Sequence, residues 1–175
     1  MNQPRRIGWA WLCLVLTGCG SLFSDDIPPP CPKAITIADA QVMTAHQPGP
    51  GRDLTDVLNS GSIIGVATNC LYDDEGRVDA TVFVDLELSI GPAATDGIGR
   101  WQYFILVTNP DMKFVAKRVF SVDLEFEQAV FRTVLKEKVK AAFDHAPWPD
   151  ARNFQIFVGF QLTREQLDYQ RRLKR

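Results

Sequence analysis

The stretch Arg77-Val-Asp-Ala-Thr-Val-Phe-Val-Asp-Leu-Glu-Leu-Ser-Ile90 decides the fold class of this chain. Apolar residues occupy every second position and share one face, namely Val78, Ala80, Val82, Val84, Leu86, Leu88 and Ile90. The opposite face is polar, with Phe83 as its one apolar member. Because successive side chains of a strand point to opposite sides of a sheet, this alternation predicts a long, half-buried β-strand.

Five further segments have strand patterns, at residues 35–43, 63–72, 101–107, 114–126 and 154–162. Segment 114–126 alternates with Arg118 as the exception, whereas 101–107 and 154–162 are apolar on both faces. The acidic stretch at 73–76 ends in glycine and predicts a hairpin loop, and residues 53–59 have room for one helical turn. These patterns predict about seven strands in an all-β, antiparallel β-sandwich of Ig-like architecture.

The C-terminus predicts a short helix. Thr163 and Gln166 have the spacing of a capping box, so a helix should follow to about Arg172. Basic residues in its last turns suit the negative end of the helix dipole.

The N-terminus has the three parts of a signal peptide. Arg5 and Arg6 precede an apolar run over residues 7–16, which is too short to cross a bilayer as a permanent helix. The ending Leu16-Thr17-Gly18-Cys19 resembles the bacterial lipobox. That resemblance implies removal of residues 1–18 and acylation of Cys19, and several acyl chains give a stable anchor. The alternative is an ordinary secretory signal with a chance cysteine.

The residue after Cys19 bears on the destination. Asp in that place tends to retain lipoproteins of Gram-negative bacteria in the inner membrane, and this chain has Gly20. The resemblance therefore implies the periplasmic face of the outer membrane.

Cysteine usage predicts one disulfide bond. Cys13 would leave with the signal peptide and Cys19 would be lipidated, which leaves Cys31 and Cys70 as a pair in an oxidising compartment. The alternative is two free thiols. Zinc is disfavoured because the two cysteines are distant and the chain has only two histidines.

The mature chain divides into a tether and a domain. Residues 19–30 include Pro28-Pro29-Pro30, which favours polyproline II, and residues 31–175 form the domain. Loss of Arg5 and Arg6 leaves 17 basic against 21 acidic residues, a net charge of −4. This balance gives no electrostatic argument for nucleic-acid binding.

Scattered motifs resemble a set of short lipoproteins from alphaproteobacteria. They are the lipobox, Cys31-Pro32, Gly51-Arg52-Asp53-Leu54-Thr55-Asp56-Val57 and the ending at residues 158–167. The resemblance implies a cell-envelope address and a β-sandwich, and no activity. Residues 129–143 have helical spacing, but the architecture and this resemblance together favour a strand there by a narrow margin.

No catalytic, cofactor or metal site is predicted. His46 and His145 lie beside Pro-rich loops and neighbour no nucleophile-elbow motif. The acidic residues at 73–75 lack EF-hand spacing, and Asp85 with Glu87 suits a solvated strand face.

The leading hypothesis is therefore a non-enzymatic, membrane-anchored envelope lipoprotein that acts as a structural or protein-interaction module and binds an envelope protein partner. The alternative is a periplasmic domain that binds or hydrolyses glycan or lipid. A deep pocket lined by convergent carboxylates or a histidine would favour the alternative, and a filled sandwich would favour the first.

Overall fold

The computed structural model describes residues 30–127, 131–147 and 149–174, which form an all-β sandwich with one C-terminal helix. This architecture confirms the predicted fold class. The elements are β1 (Lys33–Thr36), β2 (Val42–His46), β3 (Val57–Tyr72), β4 (Arg77–Ile90), β5 (Ile98–Thr108), β6 (Phe114–Glu125), β7 (Arg132–Asp144), β8 (Gln155–Phe160) and α1 (Arg164–Leu173).

The strands form two four-stranded sheets. Sheet I has the order β1-β8-β5-β6 and sheet II has the order β2-β3-β4-β7. All neighbours are antiparallel except β1 and β8, which run parallel. Neither sheet closes, so β1 and β6 are the edges of sheet I, and β2 and β7 are the edges of sheet II.

Strand β4 lies at the centre of sheet II and supplies much of the core. It pairs with β3 on one side and with β7 on the other over nearly its whole length. Its apolar face is fully buried from Val78 to Leu88, which confirms the strand predicted from the alternation. Removing such a face from water is the main favourable term in folding.

The inner face of sheet I closes the core from the other side. Trp101 and Phe160 are almost completely buried there. The indole Nε1 of Trp101 donates to the carbonyl of Ser60 in sheet II at 3.0 Å, which joins the two sheets. Gly61 lies beneath these rings, and a Cβ added to it would come within 2.8 Å of Phe160.

The single strand predicted over residues 35–43 is wrong. The chain forms β1, then a 3-10 turn at Ala38–Ala40, and then β2. The amide of Ile37 still donates to Val158 in sheet I, whereas the carbonyl of Gln41 accepts from Ile63 in sheet II. The segment therefore crosses from one sheet to the other, and the added strand brings the number to eight.

Three other predictions concern local structure. The helical turn predicted within residues 53–59 is present as a 3-10 turn at Leu54–Asp56 with a capping box from Asp53, and residues 57–59 already belong to β3. The narrow preference for a strand within 129–143 is confirmed by β7. The C-terminal helix is confirmed with its capping box, in which Thr163 Oγ1 accepts from the amide of Gln166 at 3.2 Å.

The strand directions give the sandwich two distinct ends. The described chain begins at Pro30, beside the β3–β4 loop, the β5–β6 loop and the β7–β8 loop, and we call this the entry end. The loops at 47–56 and 91–97 lie at the opposite end, which we call the distal end.

Candidate functional site

A surface cleft at the distal end has a volume of about 540 Å³. It lies between the end of β2, the loop that follows β2, and the first turns of α1. Its lining includes His46, Gln47, Arg52, Glu165 and Tyr169. The cleft is therefore built by segments that are more than a hundred residues apart in sequence.

His46 forms part of the cleft wall. Its ring makes an edge contact with Tyr169 of α1, with ring centroids 4.9 Å apart. Its Nε2 is shielded from solvent and has no hydrogen-bond partner among the described residues. Burial, with help from the nearby charge of Arg52, lowers the pKa of His46 below its usual value, although Asp56 acts in the opposite direction. The neutral imidazole is therefore favoured.

The loop beside His46 is held by charged and polar contacts. Arg52 forms an ion pair with Glu165 of α1 and donates to the carbonyl of Gly49 at 2.8 Å. The side chain of Gln47 donates to Asp56 at 2.7 Å. This hydrogen bond is the main reason that the pKa of Asp56 lies below its usual value.

Polar residues of helix α1 hold it beside β2 and the 3-10 turn at Ala38–Ala40. Gln170 is buried and donates to Thr44 of β2 at 3.4 Å. Arg171 donates to Asp39 at 2.9 Å and lowers the pKa of that carboxyl, with a further contribution from Lys174. These basic residues therefore bind the 3-10 turn between β1 and β2, a contact that the dipole argument from the sequence did not reveal.

A second depression of about 440 Å³ adjoins the cleft and shares Ala45, Thr163 and Gln166 with it. Its remaining lining comes from sheet I and the segment after β8, including Arg100, Gln102, Ser121, Asp123 and Gln161. We call the two depressions together the distal groove.

The entry end contains the predicted cysteine pair. Cys31 and Cys70 form a disulfide with a Cα–Cα distance of 5.5 Å, which joins the start of the domain to β3. The ring of His145 lies 6.3 Å from that of Tyr72 at the same end. The two histidines thus lie at opposite ends of the sandwich.

The acidic candidates have structural roles. The Asp73 carboxylate accepts from the amides of Glu75 and Arg77 and so shapes the β3–β4 turn. Glu87 lies 3.5 Å from Arg132 on the outer face of sheet II. Among the described residues, no three His, Cys, Asp or Glu side chains are grouped so that they would hold a metal ion.

The two lateral sides of the sandwich differ. Helix α1 and the 3-10 turn pack beside β2 on one side, which we call the covered side. On the other side, β6 and β7 are both edge strands, and Arg118 reaches across between them to the carbonyl of Lys140 at 3.2 Å. Between the sheets, the hydroxyl of Tyr103 on β5 donates to Glu137 on β7 at 3.3 Å. Burial, together with the Glu137 carboxylate, raises the pKa of Tyr103. We call the β6 and β7 side the open edge.

Cys19, the signal peptide and nearly all of the tether lie outside the described residues, so their predicted roles remain predictions. Within the described ranges, no helix is both long and apolar enough to span a membrane. A scan against models of known protein families finds no match, and a search of curated proteins finds none either.

Two observations bear on the alternatives drawn from the sequence. The interior of the sandwich is filled by a contiguous apolar core. The distal cleft is lined by one histidine, but its one carboxylate, Glu165, is engaged by Arg52. Among the described residues, the cleft therefore combines one histidine with a single, paired carboxylate and has no converging carboxylates.

Proposed function

We propose that this protein is a lipid-anchored, non-enzymatic interaction module of the cell envelope. In this proposal, acylated Cys19 holds it on the periplasmic face of the outer membrane, and a partner protein adds a strand to the open edge. The observation that carries the proposal is that one lateral side of the sandwich is covered while the other presents two long strand edges.

On the covered side, β2 pairs only with residues 57–62 of β3, and the rest of β3 is tied to the start of the domain by the Cys31–Cys70 disulfide and by the hydrogen bond from Thr68 to Pro32. Strand β2 has five residues and β1 has four, and α1 packs beside β2. Short or covered edges of this kind are a common way in which proteins prevent pairing with another chain.

The open edge has the opposite properties. Strands β6 and β7 have 12 and 13 residues, and each has a row of backbone groups on its outer side, although the carbonyl of Lys140 already accepts from Arg118. Val119 of β6 is 48% exposed and Val134 of β7 is 50% exposed. Long edges with apolar side chains suit strand addition, in which main-chain hydrogen bonds give affinity and side chains give specificity.

The charge of the open edge indicates the chemistry of the partner. Lys136, Lys138 and Lys140 alternate along β7 and are all exposed on the outer face of sheet II. Two copies of this row would repel each other, whereas an added strand with acidic residues at alternate positions would place each acid beside a lysine. We therefore propose an extended acidic segment of another envelope protein as the partner.

The tether is consistent with this placement. Ten residues lie between Cys19 and Pro30, so the entry end would lie within about 40 Å of the acylated cysteine. The open edge runs along the side of the sandwich from the entry end to the distal end, and a partner in the periplasm would have access to it.

Site-specific photo-cross-linking in intact envelopes tests the partner. A photoreactive residue at Val134 should capture one defined protein through an acidic segment, whereas the same residue at Asn69, which is exposed in the part of β3 on the covered side, should not. Reversing Lys136, Lys138 and Lys140 to glutamate should abolish the capture.

The matched control reverses three exposed cations elsewhere, Lys33, Arg164 and Arg172, and should leave the cross-link unchanged. Equal capture from Asn69, capture of a second copy of this chain, or capture that survives the reversal in β7 would each contradict strand addition at the open edge.

The anchor has a separate test. Cys19→Ala should block acylation and release the protein from the membrane fraction, while metabolic labelling with palmitate should mark the wild type alone. Continued detergent-dependent membrane association of the variant would contradict the proposed anchor. It would not affect the conclusion drawn from cross-linking at the open edge.

A further inference from the structure

Four glutamine side chains line the distal groove, and each is held at one end by a neighbour. In the cleft, Gln47 Nε2 donates to Asp56 at 2.7 Å, and Gln166 Oε1 accepts from the amide of Thr163 at 2.9 Å. Each of these contacts leaves the other half of the amide for a further partner.

The second depression repeats the arrangement. Gln102 Nε2 faces the hydroxyl of Ser121 at 3.3 Å, and Gln161 Oε1 accepts from Lys117 at 3.2 Å. Among the described residues, no further side-chain hydrogen bond involves these four amides. The groove therefore has two oriented carbonyl oxygens, from Gln47 and Gln102, and two oriented amino groups, from Gln161 and Gln166.

Oriented donors and acceptors in equal number suit hydroxyl groups. A hydroxyl donates one hydrogen bond and accepts others, so a ligand rich in hydroxyls can use both kinds of amide end. Because local contacts already restrict each glutamine, less side-chain entropy is lost when the ligand binds.

The charges of the groove favour a neutral ligand. Arg52 is paired with Glu165, and Arg100 makes two contacts of 3.1 Å with Asp96. Both arginines in the lining are thus already engaged, and Asp123 is a further anion. A phosphate or carboxylate ligand would instead be expected to find an uncommitted cation, usually arginine.

The shape of the groove suits a chain of linked units. Two adjoining depressions, of about 540 and 440 Å³, form an extended surface site. The ring of Tyr169 supplies an apolar surface in the first depression, against which the C–H groups of a sugar ring can pack. We infer that the distal groove binds a neutral oligosaccharide, with its hydroxyl groups held by the four glutamines. This site is separate from the open edge and does not depend on it.

Calorimetric titration of the full chain, in a detergent without a sugar headgroup, tests the inference. The probes are maltohexaose and chitohexaose, which are neutral, and a heparin hexasaccharide, which is anionic. We expect at least one neutral hexasaccharide to bind with a dissociation constant in the millimolar range or tighter, and the heparin fragment to bind more weakly or not at all.

The double variant Gln161→Glu, Gln166→Glu isolates the two amino groups. Glutamate keeps the acceptor for Lys117 and preserves the capping box of α1, so the melting temperature should not fall. Loss of two donors to the ligand should weaken binding about tenfold or more. The control Gln155→Glu makes a single Gln→Glu change at the entry end and should bind like the wild type.

Preferential binding of the heparin fragment, no binding of either neutral hexasaccharide at millimolar concentration, or wild-type affinity in the double variant would each overturn the inference. Equal weakening by Gln155→Glu would also overturn it, because the effect would then be one of charge and not of the groove.

Discussion

Opening the disulfide between Cys31 and Cys70 should lower the free energy of unfolding by about 4 kcal/mol at 25 °C. The bond joins residues 39 positions apart and ties the start of the domain to the long strand β3. Without it, the unfolded chain gains the conformational freedom of that loop, and in the chain-entropy model this freedom gives the stated magnitude.

The folded state should survive the loss of the bond, because other contacts hold the same segment. The hydroxyl of Thr68 donates to the carbonyl of Pro32 at 2.8 Å. The hydroxyl of Tyr72 donates to the carbonyl of Pro30, also at 2.8 Å. Strand β1 also pairs with β8. The effect should therefore arise mainly in the unfolded state, with the native fold retained.

Urea unfolding of the oxidised chain and of the same chain after reduction measures the difference, and Cys31→Ser, Cys70→Ser provides a thiol-free comparison. In thermal unfolding, the melting temperature of the chain without the disulfide should be about 10 °C lower than that of the oxidised chain. If reduction changes the free energy of unfolding by less than about 1 kcal/mol, the loop-closure reasoning is refuted, because that model predicts several times more.

Three further perturbations test the core and the cleft. Leu88→Ala, at a fully buried position, should lower the free energy of unfolding in urea by about 3 kcal/mol. Phe114→Ala, at a position that is 80% exposed, should change it by no more than about 0.5 kcal/mol. Equal losses of stability in the two variants would contradict the packing described. Gly61→Ala should cost about 1–3 kcal/mol because its Cβ would press on Phe160, and a stabilised variant would show that the contact relaxes. Folding lowers the pKa of His46 below its usual value of 6.5, so protonation of His46 destabilises the folded state. The neutral side chain contributes fully to stability above pH 6.5, and this contribution declines as the pH falls toward the lower pKa that His46 has in the folded state. His46→Phe should therefore make the melting temperature depend less on pH between neutral and mildly acidic buffer, and an unchanged pH profile would show that another group is responsible.

Much of the fold was predictable from local sequence patterns. The alternation from Arg77 to Ile90 matches β4 at both ends, and the spacing of Thr163 and Gln166 gives the start of α1. These features succeed because strand periodicity and helix capping involve residues that are close in sequence. The disulfide was predictable by elimination among four cysteines.

The candidate sites were not predictable in the same way. His46 looked like an ordinary loop histidine, and only the return of α1 beside β2 places Tyr169 against it. Lys136, Lys138 and Lys140 belong to a segment whose spacing also fits a helix, so their common exposed face depended on the strand assignment.

The sequence by itself determined the fold class, the position of the longest strand, the helix start and the cysteine pair, because each depends on neighbouring residues or on a count. The tertiary structure alone decided which strands are edges, where residues 35–43 cross between the sheets, and which side chains share the distal groove. Those properties depend on pairings between residues far apart in the chain, and the hydrophobic pattern is the same whichever neighbour a strand acquires.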